Sequence, residues 1–190
     1  MTQEMRTRIS ACALDLFKTE GYATVSMRRL AKEVGCTTMT LYQYYDSKFS
    51  VLASLWSHIF DELFAQIAQI SARDNESVKK LVDICECYVD FWIGNKEYYF
   101  IVFMSGGISK NEVEEYVTGG SIVSHFDTMR ECLRHAIGEQ QDEETLRLKS
   151  ELLICILNGI AHNLITISGY EWSDPKKLLL LAVDGLLATP

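Results

Sequence analysis

A chain of 190 residues with 48% hydrophobic and 23% charged residues buries a proper core and is no disordered tail. Its net charge is −8, and its two prolines, Pro175 and Pro190, leave room for long helices, so the first expectation is an all-α protein. No apolar run reaches the roughly 18 residues that span a bilayer, and the start MTQEMRTRIS lacks the apolar segment of a signal peptide; a cytoplasmic protein with no membrane partner is expected.

In chain order, Ile9, Cys12, Ala13, Leu16 and Phe17 recur at helical spacing and predict a first helix ending before Gly21. Ser26 caps a second, in which Met27, Leu30, Ala31 and Val34 repeat the pattern and Gly35 supplies the left-handed end. Thr37 caps a third helix, expected to run to about Tyr44 with Leu41 and Tyr45 turned inward. Asp46 or Ser47 then starts a long helix carrying Val51, Leu52, Leu55, Ile59, Leu63 and Ile67. Helix, glycine turn and short helix within about 20 residues is the sequence form of a helix-turn-helix.

The outward side of the third helix is Thr37, Thr38, Thr40, Gln43 and Tyr44, hydroxyls and an amide suited to base edges and phosphates. Charge agrees with a local nucleic-acid partner. Residues 1–50 hold seven Lys and Arg against five Asp and Glu, whereas the remainder holds eleven against twenty-one.

At this point the chain resembles the TetR family of transcriptional regulators. The resemblance rests on Ala13-x3-Phe17-x3-Gly21-Tyr22, on Ser26-Met27-Arg28-Arg29-Leu30-Ala31-Lys32-Glu33-Val34-Gly35, and on Thr40-Leu41-Tyr42-x-Tyr44-Tyr45-x-Ser47-Lys48. It covers about the first 55 residues and implies an all-helical dimer, with N-terminal helices on DNA and C-terminal helices around an effector pocket. By the same resemblance Tyr42 and Lys48 match the family's phosphate contacts, and Thr37, Thr38, Thr40, Gln43 and Tyr44 fall on its recognition helix. Thr38 stands where a lysine or arginine is frequent and Met39 where a glycine is frequent. Guanine reading is therefore left to Arg28 and Arg29, adenine to Gln43, and thymine to threonine methyls, with Ser26 also in the DNA-binding set.

After a polar connection at 71–77, Val78, Leu81, Val82, Cys85, Tyr88, Val89 and Trp92 mark a further helix, ended by Gly94-Asn95. NKEYYFIVFMSGG predicts a short helix after the asparagine; the segment between Gly106-Gly107 and Gly119-Gly120 is left undecided by periodicity. Another helix runs from Ile122 to Gly138, and GEQQDEET is a polar connection whose acids favour the start of the next helix. That helix is apolar nearly all round, with Leu148, Leu152, Cys155, Gly159, His162 and Thr166 on one side and Leu153, Ile156, Leu157, Ile160, Leu164 and Ile167 on the other. The last, begun by Asp174-Pro175, is as apolar. Burial on two sides calls for a second subunit, and a homodimer interface is expected from Leu148, Leu152, Cys155, Ile156, Gly159, Leu179, Val183 and Leu186.

Candidate effector-pocket residues are Trp92, Tyr99, Phe103, Met104, His125, Phe126, Met129, His162 and Asn163, the aromatics for contact area and the polar members for orientation, which suits an apolar or aromatic small molecule. The six cysteines lie scattered in apolar patterns and read as reduced thiols; Cys85 and Cys87 point to opposite helix faces. No phosphate loop, nucleophile elbow or metal-ligand spacing is present, so no catalytic residue, metal or cofactor is expected. The expected division is a helix-turn-helix domain at 1–47 and a helical effector-binding and dimerisation domain at 48–190. The expected function is a ligand-responsive dimeric regulator, most simply a repressor, binding a palindromic operator. The alternative is a helical ligand-binding or interaction module that has lost specific DNA binding.

Overall fold

The computed structural model describes residues 3–119, 122–138 and 141–188. Gly120, the Glu139-Gln140 part of the polar connection and Pro190, all used in the sequence reading, lie outside the described residues. Among the described residues the chain forms ten helices and no strand: α1 (Gln3–Thr19), α2 (Met27–Val34), α3 (Thr38–Tyr42), α4 (Lys48–Ser71), α5 (Ser77–Gly94), α6 (Lys96–Phe103), α7 (Lys110–Gly119), α8 (Ile122–Ile137), α9 (Glu143–Thr166) and α10 (Pro175–Ala188).

Contacts divide the chain into two compact units, Met1–Asp61 with Glu97–Ser121, and Glu62–Lys96 with Ile122–Pro190. These units cut the chain differently from the expected domains at 1–47 and 48–190. The first half of α4 and the α6–α7 segment fold with α1–α3, because Trp56 and Ser57 of α4 bond to Ile101 and Tyr116 of that segment.

In the first unit, α1 buries Ile9, Ala13, Leu16 and Phe17, the row expected of it apart from Cys12, which is half-buried. The α2 boundaries follow from local chemistry. Ser26 Oγ accepts from the Arg29 N–H at 3.1 Å, and Gly35 takes φ 74°, ψ 37°, letting its N–H reach the Ala31 and Lys32 carbonyls. Helix α3 ends at Tyr42, two residues earlier than expected. The Gln43 N–H is shared between the Met39 and Thr40 carbonyls and the Tyr44 N–H returns to Leu41, a tightened last turn that brings Tyr45 into the core. Ser47 and Ser50 then cap each other, each hydroxyl accepting the other's N–H at 3.0 Å, and α4 begins. Segment 110–119 is a helix after all; its apolar residues, Val113, Tyr116 and Val117, cover a single turn and none is fully buried, too short a pattern to separate helix from loop.

In the second unit α5 packs on α8, α9 and α10, and α9 on α8 and α10. Asp142 starts α9 by accepting from the Thr145 N–H at 2.9 Å. The buried row of α9 is Leu146, Lys149, Leu153, Leu157, Ala161 and Ile165. Leu148 and Leu152, at 51% and 52% exposed, form its uncovered side with Cys155. On α10 the expected interface residues are corrected: Leu179, Val183 and Leu186 are inside the protomer, and Leu180 and Leu181 face out. The leucine run 178–181 holds no polar residue to mark which side turns inward. Helix α9 is long and apolar enough by length and composition to cross a membrane. The core helix of a soluble protein meets the same criterion.

Candidate nucleic-acid interface

The reader surface is built on α2 and α3. Ser26, Arg28, Arg29, Thr37 and Thr38 come together around an open cleft of about 610 Å³, joined by Ala31, Lys32 and Cys36. Their availability differs. Arg29 is held between two carboxylates, its Nη1 donating to Glu33 Oε2 at 2.6 Å and its Nη2 to Glu20 Oε1 at 2.8 Å. Those bonds, Glu33 first, raise its pKa above the ordinary arginine range. Arg28 and Lys32 are exposed and form no ion pair among the described residues.

Ser26 and Thr37 are occupied as helix caps. The Thr37 hydroxyl accepts from the Thr40 N–H at 3.0 Å and shares a hydrogen bond with the Thr40 hydroxyl at 2.8 Å, so Thr37 and Thr40 leave mainly their methyls to a partner. Gln43 is exposed, Tyr42 is 49% exposed, and Tyr44 is half-buried with the Arg6 guanidinium 5.8 Å from its ring centre. Met39, at 77% exposed, protrudes further than Tyr42. It was not among the expected contacts, although an apolar side chain amid hydroxyls on an outward helical face was a signal for one.

Lys48 is placed otherwise than a phosphate contact would require. Its Nζ donates to the Tyr22 carbonyl at 2.7 Å and lies 4.1 Å from the centre of the Tyr22 ring. Burial pushes the Lys48 ammonium below its ordinary pKa range, and burial, with Glu112, pushes the Tyr22 phenol up to about 12.

The nine expected pocket residues do not line one cavity. Phe126 and Met129 line a cleft of about 210 Å³ between α8 and α9, with Val123, Leu133, Leu153 and Ile154 as further apolar walls and Asp127, Arg130, Arg147, Ser150 and Glu151 as polar members. His125 stacks on Phe64 at 5.1 Å, and Phe126 meets that ring edge-on. Trp92 is fully buried against Tyr88 and Phe91, a filled core. His162 and Asn163 are half-buried on α9. In the other unit Tyr99 and Phe103 pack on one another at 4.9 Å, and Met104 lines a separate cleft of about 330 Å³ beside Phe17 and Tyr22. The arginines at the α8–α9 cleft were not among the expected pocket residues, and nothing in their sequence surroundings distinguishes them. No group of three or more His, Cys, Asp or Glu among the described residues is arranged to hold a metal. Cys85 is buried and its thiol is pushed up to about 12, chiefly by burial, which leaves it little thiolate.

Comparisons agree with this geometry. Residues 9–55 match the family model for bacterial regulatory proteins, tetR family. The nucleoid occlusion factor SlmA of Haemophilus influenzae is 28% identical over 90 residues, 47% of this chain and 41% of that one, so the chain spans less than half the length of this relative. The biofilm operon icaADBC HTH-type negative transcriptional regulator IcaR of Staphylococcus aureus is 24% identical over 147 residues, 77% of this chain and 75% of that one. Among solved structures, the transcriptional regulator FadR from Bacillus subtilis in complex with stearoyl-CoA superposes with a TM-score of 0.77 at 16% identity, covering 96% of this chain and 97% of that one. At that identity the likeness is one of fold.

Proposed function

We propose that this chain, which belongs to the TetR family of bacterial regulatory proteins, is a cytoplasmic, dimeric, effector-responsive DNA-binding repressor with no catalytic activity and no cofactor. The observation that carries the reading is the α2–turn–α3 geometry. A hydroxyl-capped helix, a left-handed glycine and a short helix present Met39, Gln43 and Tyr42 outward beside the exposed Arg28 and Lys32. In this reading α3 enters the major groove, where Gln43 pairs with adenine and Met39 and the threonine methyls meet thymine methyls. Arg28, Lys32 and Tyr42 take phosphates, and Arg29 serves the fold. Residues 1–47 act as the reader and 48–190 as the effector-binding and dimerisation body.

Two copies would join through the uncovered side of α9 at Leu148, Leu152 and Cys155 with Leu180 and Leu181 of α10, giving two readers for the two halves of a palindrome. The proposed effector is apolar and enters the α8–α9 cleft. The acyl chain of the ligand carried by the Bacillus subtilis FadR structure is one apolar chemistry to include in a screen. Repression rather than activation is supported by the negative regulator among the relatives.

The test is binding to random-sequence duplex at low salt, followed by selection of preferred sequences from a random pool and sedimentation of the complex. Micromolar or tighter binding, a palindromic selected sequence and two chains per site are expected. No binding to any duplex at low salt would favour the helical interaction module instead.

A further inference from the structure

The cleft between α8 and α9 is lined by an arginine with a donor to spare. Arg130 is one of its walls, and the Arg130 Nε is enclosed with no hydrogen-bond partner among the described residues. Enclosed N–H groups are nearly always bonded, so a bare one on a residue lining a cavity points to an acceptor brought by the cavity's occupant. The rest of the guanidinium is only partly committed. Its Nη2 lies 2.6 Å from Glu143 Oε2, but Glu143 Oε1 is also held by Arg134 Nη1 at 2.8 Å, so that carboxylate keeps a cation when Arg130 turns to a ligand.

The other charges at the cleft narrow the class of ligand. Arg147 is taken by Glu151 at 2.7 Å, a pair on one helix with both side chains more than half exposed. Asp127, also a lining residue, is exposed one turn before Arg130 on α8. Its charge opposes a dianion more than a monoanion, which favours a carboxylate over a phosphate monoester. Phe126 and Leu133 of α8 with Leu153 and Ile154 of α9 supply apolar walls. The cleft holds about 210 Å³, below the roughly 300–1,000 Å³ usual for small-molecule pockets, and so suits one ring with a short chain.

We infer that the α8–α9 cleft takes a compact apolar monocarboxylate, whose carboxylate accepts from the Arg130 Nε and whose apolar body lies among Phe126, Leu153 and Ile154. The inference rests on the proposed effector reading of this cleft and names the ligand class for it. Two gains combine: a charged acceptor satisfies an enclosed donor, and an apolar body takes the cleft walls out of water. An alcohol of the same shape keeps the second gain and weakens the first. An amine of the same shape meets Arg130 as a like charge.

The test titrates the full chain, without DNA, with 4-phenylbutyrate, 4-phenylbutanol and 4-phenylbutylamine by calorimetry. The carboxylate should bind about tenfold tighter than the alcohol, the effect of one charge-assisted hydrogen bond, and the amine should bind weakest. Intermolecular NOEs from the phenyl ring to the Ile154 methyls should place it in the cleft. In R130M the carboxylate should lose its advantage while the alcohol binds as before; R134M, which also removes one cation from Glu143, should keep the advantage. R130K, which keeps a charge for Glu143 without the enclosed N–H, is the second variant should R130M fail to fold, and it should lose most of the same advantage. Equal binding of acid and alcohol, tighter binding of the amine, an advantage that survives both Arg130 variants or is lost equally in R134M, NOEs to other residues, or no binding of any of the three overturns the inference. A selected duplex then separates this inference from the reading beneath it. Carboxylate bound in the cleft with duplex affinity unchanged overturns the effector reading and leaves the ligand class standing; acid and alcohol that bind alike and both weaken duplex binding overturn the ligand class alone.

Discussion

The Tyr88 hydroxyl donates to Asn158 Oδ1 at 2.8 Å, tying α5 to α9 within the second unit. Tyr88 is buried and Asn158 half-buried, so the bond is partly shielded from water where the two helices meet. Tyr88→Phe should lower stability by about 0.5–1.5 kcal/mol, the net worth of one hydrogen bond, measured by urea unfolding. An unchanged midpoint would mean that water replaces the phenol without loss.

Arg28 and Arg29 are neighbours with opposite expected behaviour. Arg28→Ala should weaken binding to all duplexes and lower the salt slope by about one per site contacted. Arg29→Ala should lower the melting temperature, because Glu20 and Glu33 lose their common partner, and leave the salt slope as it was. The reverse outcome would move base or phosphate contact onto Arg29.

Gln43→Ala should relax preference at one base pair of each half-site by roughly 1–3 kcal/mol and scarcely affect random duplex. Binding to a selected sequence and to its single-base variants measures this; an equal loss on every sequence would assign Gln43 to the backbone.

Gly35 occupies φ 74°, and a Cβ there would lie 2.8 Å from Arg8 Nη2. The arginine tip can withdraw, but the left-handed backbone remains unfavourable to alanine by about 1–2 kcal/mol. Gly35→Ala should therefore destabilise the reader and reduce duplex binding, read by thermal melting and by affinity together. Retained stability would show that the turn can relax.

Cys155 is exposed in the single chain and lies beside Leu152 on the proposed dimer surface, whereas Cys85 is buried with its thiol pushed up to about 12. Alkylation of the native protein at pH 8 should label Cys155 and spare Cys85. Labelling of Cys155 should slow as concentration rises from nanomolar to micromolar, and Leu152→Glu should abolish that slowing and yield monomers in sedimentation. A labelling rate independent of concentration would place the dimer contact elsewhere.

Asp142 and Glu143 are held below the ordinary carboxylate range, Asp142 by the Thr145 N–H and Glu143 by the Arg134 guanidinium. Groups depressed in the folded state contribute stability that is fully present above their unfolded values and is lost as pH falls through the folded ones. The start of α9 should loosen below about pH 4, with Asp142→Ala showing a shallower acid dependence of melting temperature.

The reader was legible in the sequence because its signals are local. Ser26 and Gly35 act on backbone groups three or four residues away, and a period of 3.6 places Leu30, Ala31 and Val34 on one side whatever lies opposite. Segment 110–119 was not legible, because Val113, Tyr116 and Val117 give only one turn of helical spacing and none of them is fully buried. The candidate site divides along the same line. Which residues face outward on α3 follows from helical geometry, but which cations are free depends on partners distant in sequence: Glu20 for Arg29, and the Tyr22 carbonyl, 26 residues away, for Lys48. The leucines of α9 and α10 were equally ambiguous, since an apolar run states that burial is needed and not on which side; only the packing of α9 on α5, α8 and α10, and of α10 on α5 and α9, left Leu152 and Leu181 uncovered while enclosing Leu153 and Leu179.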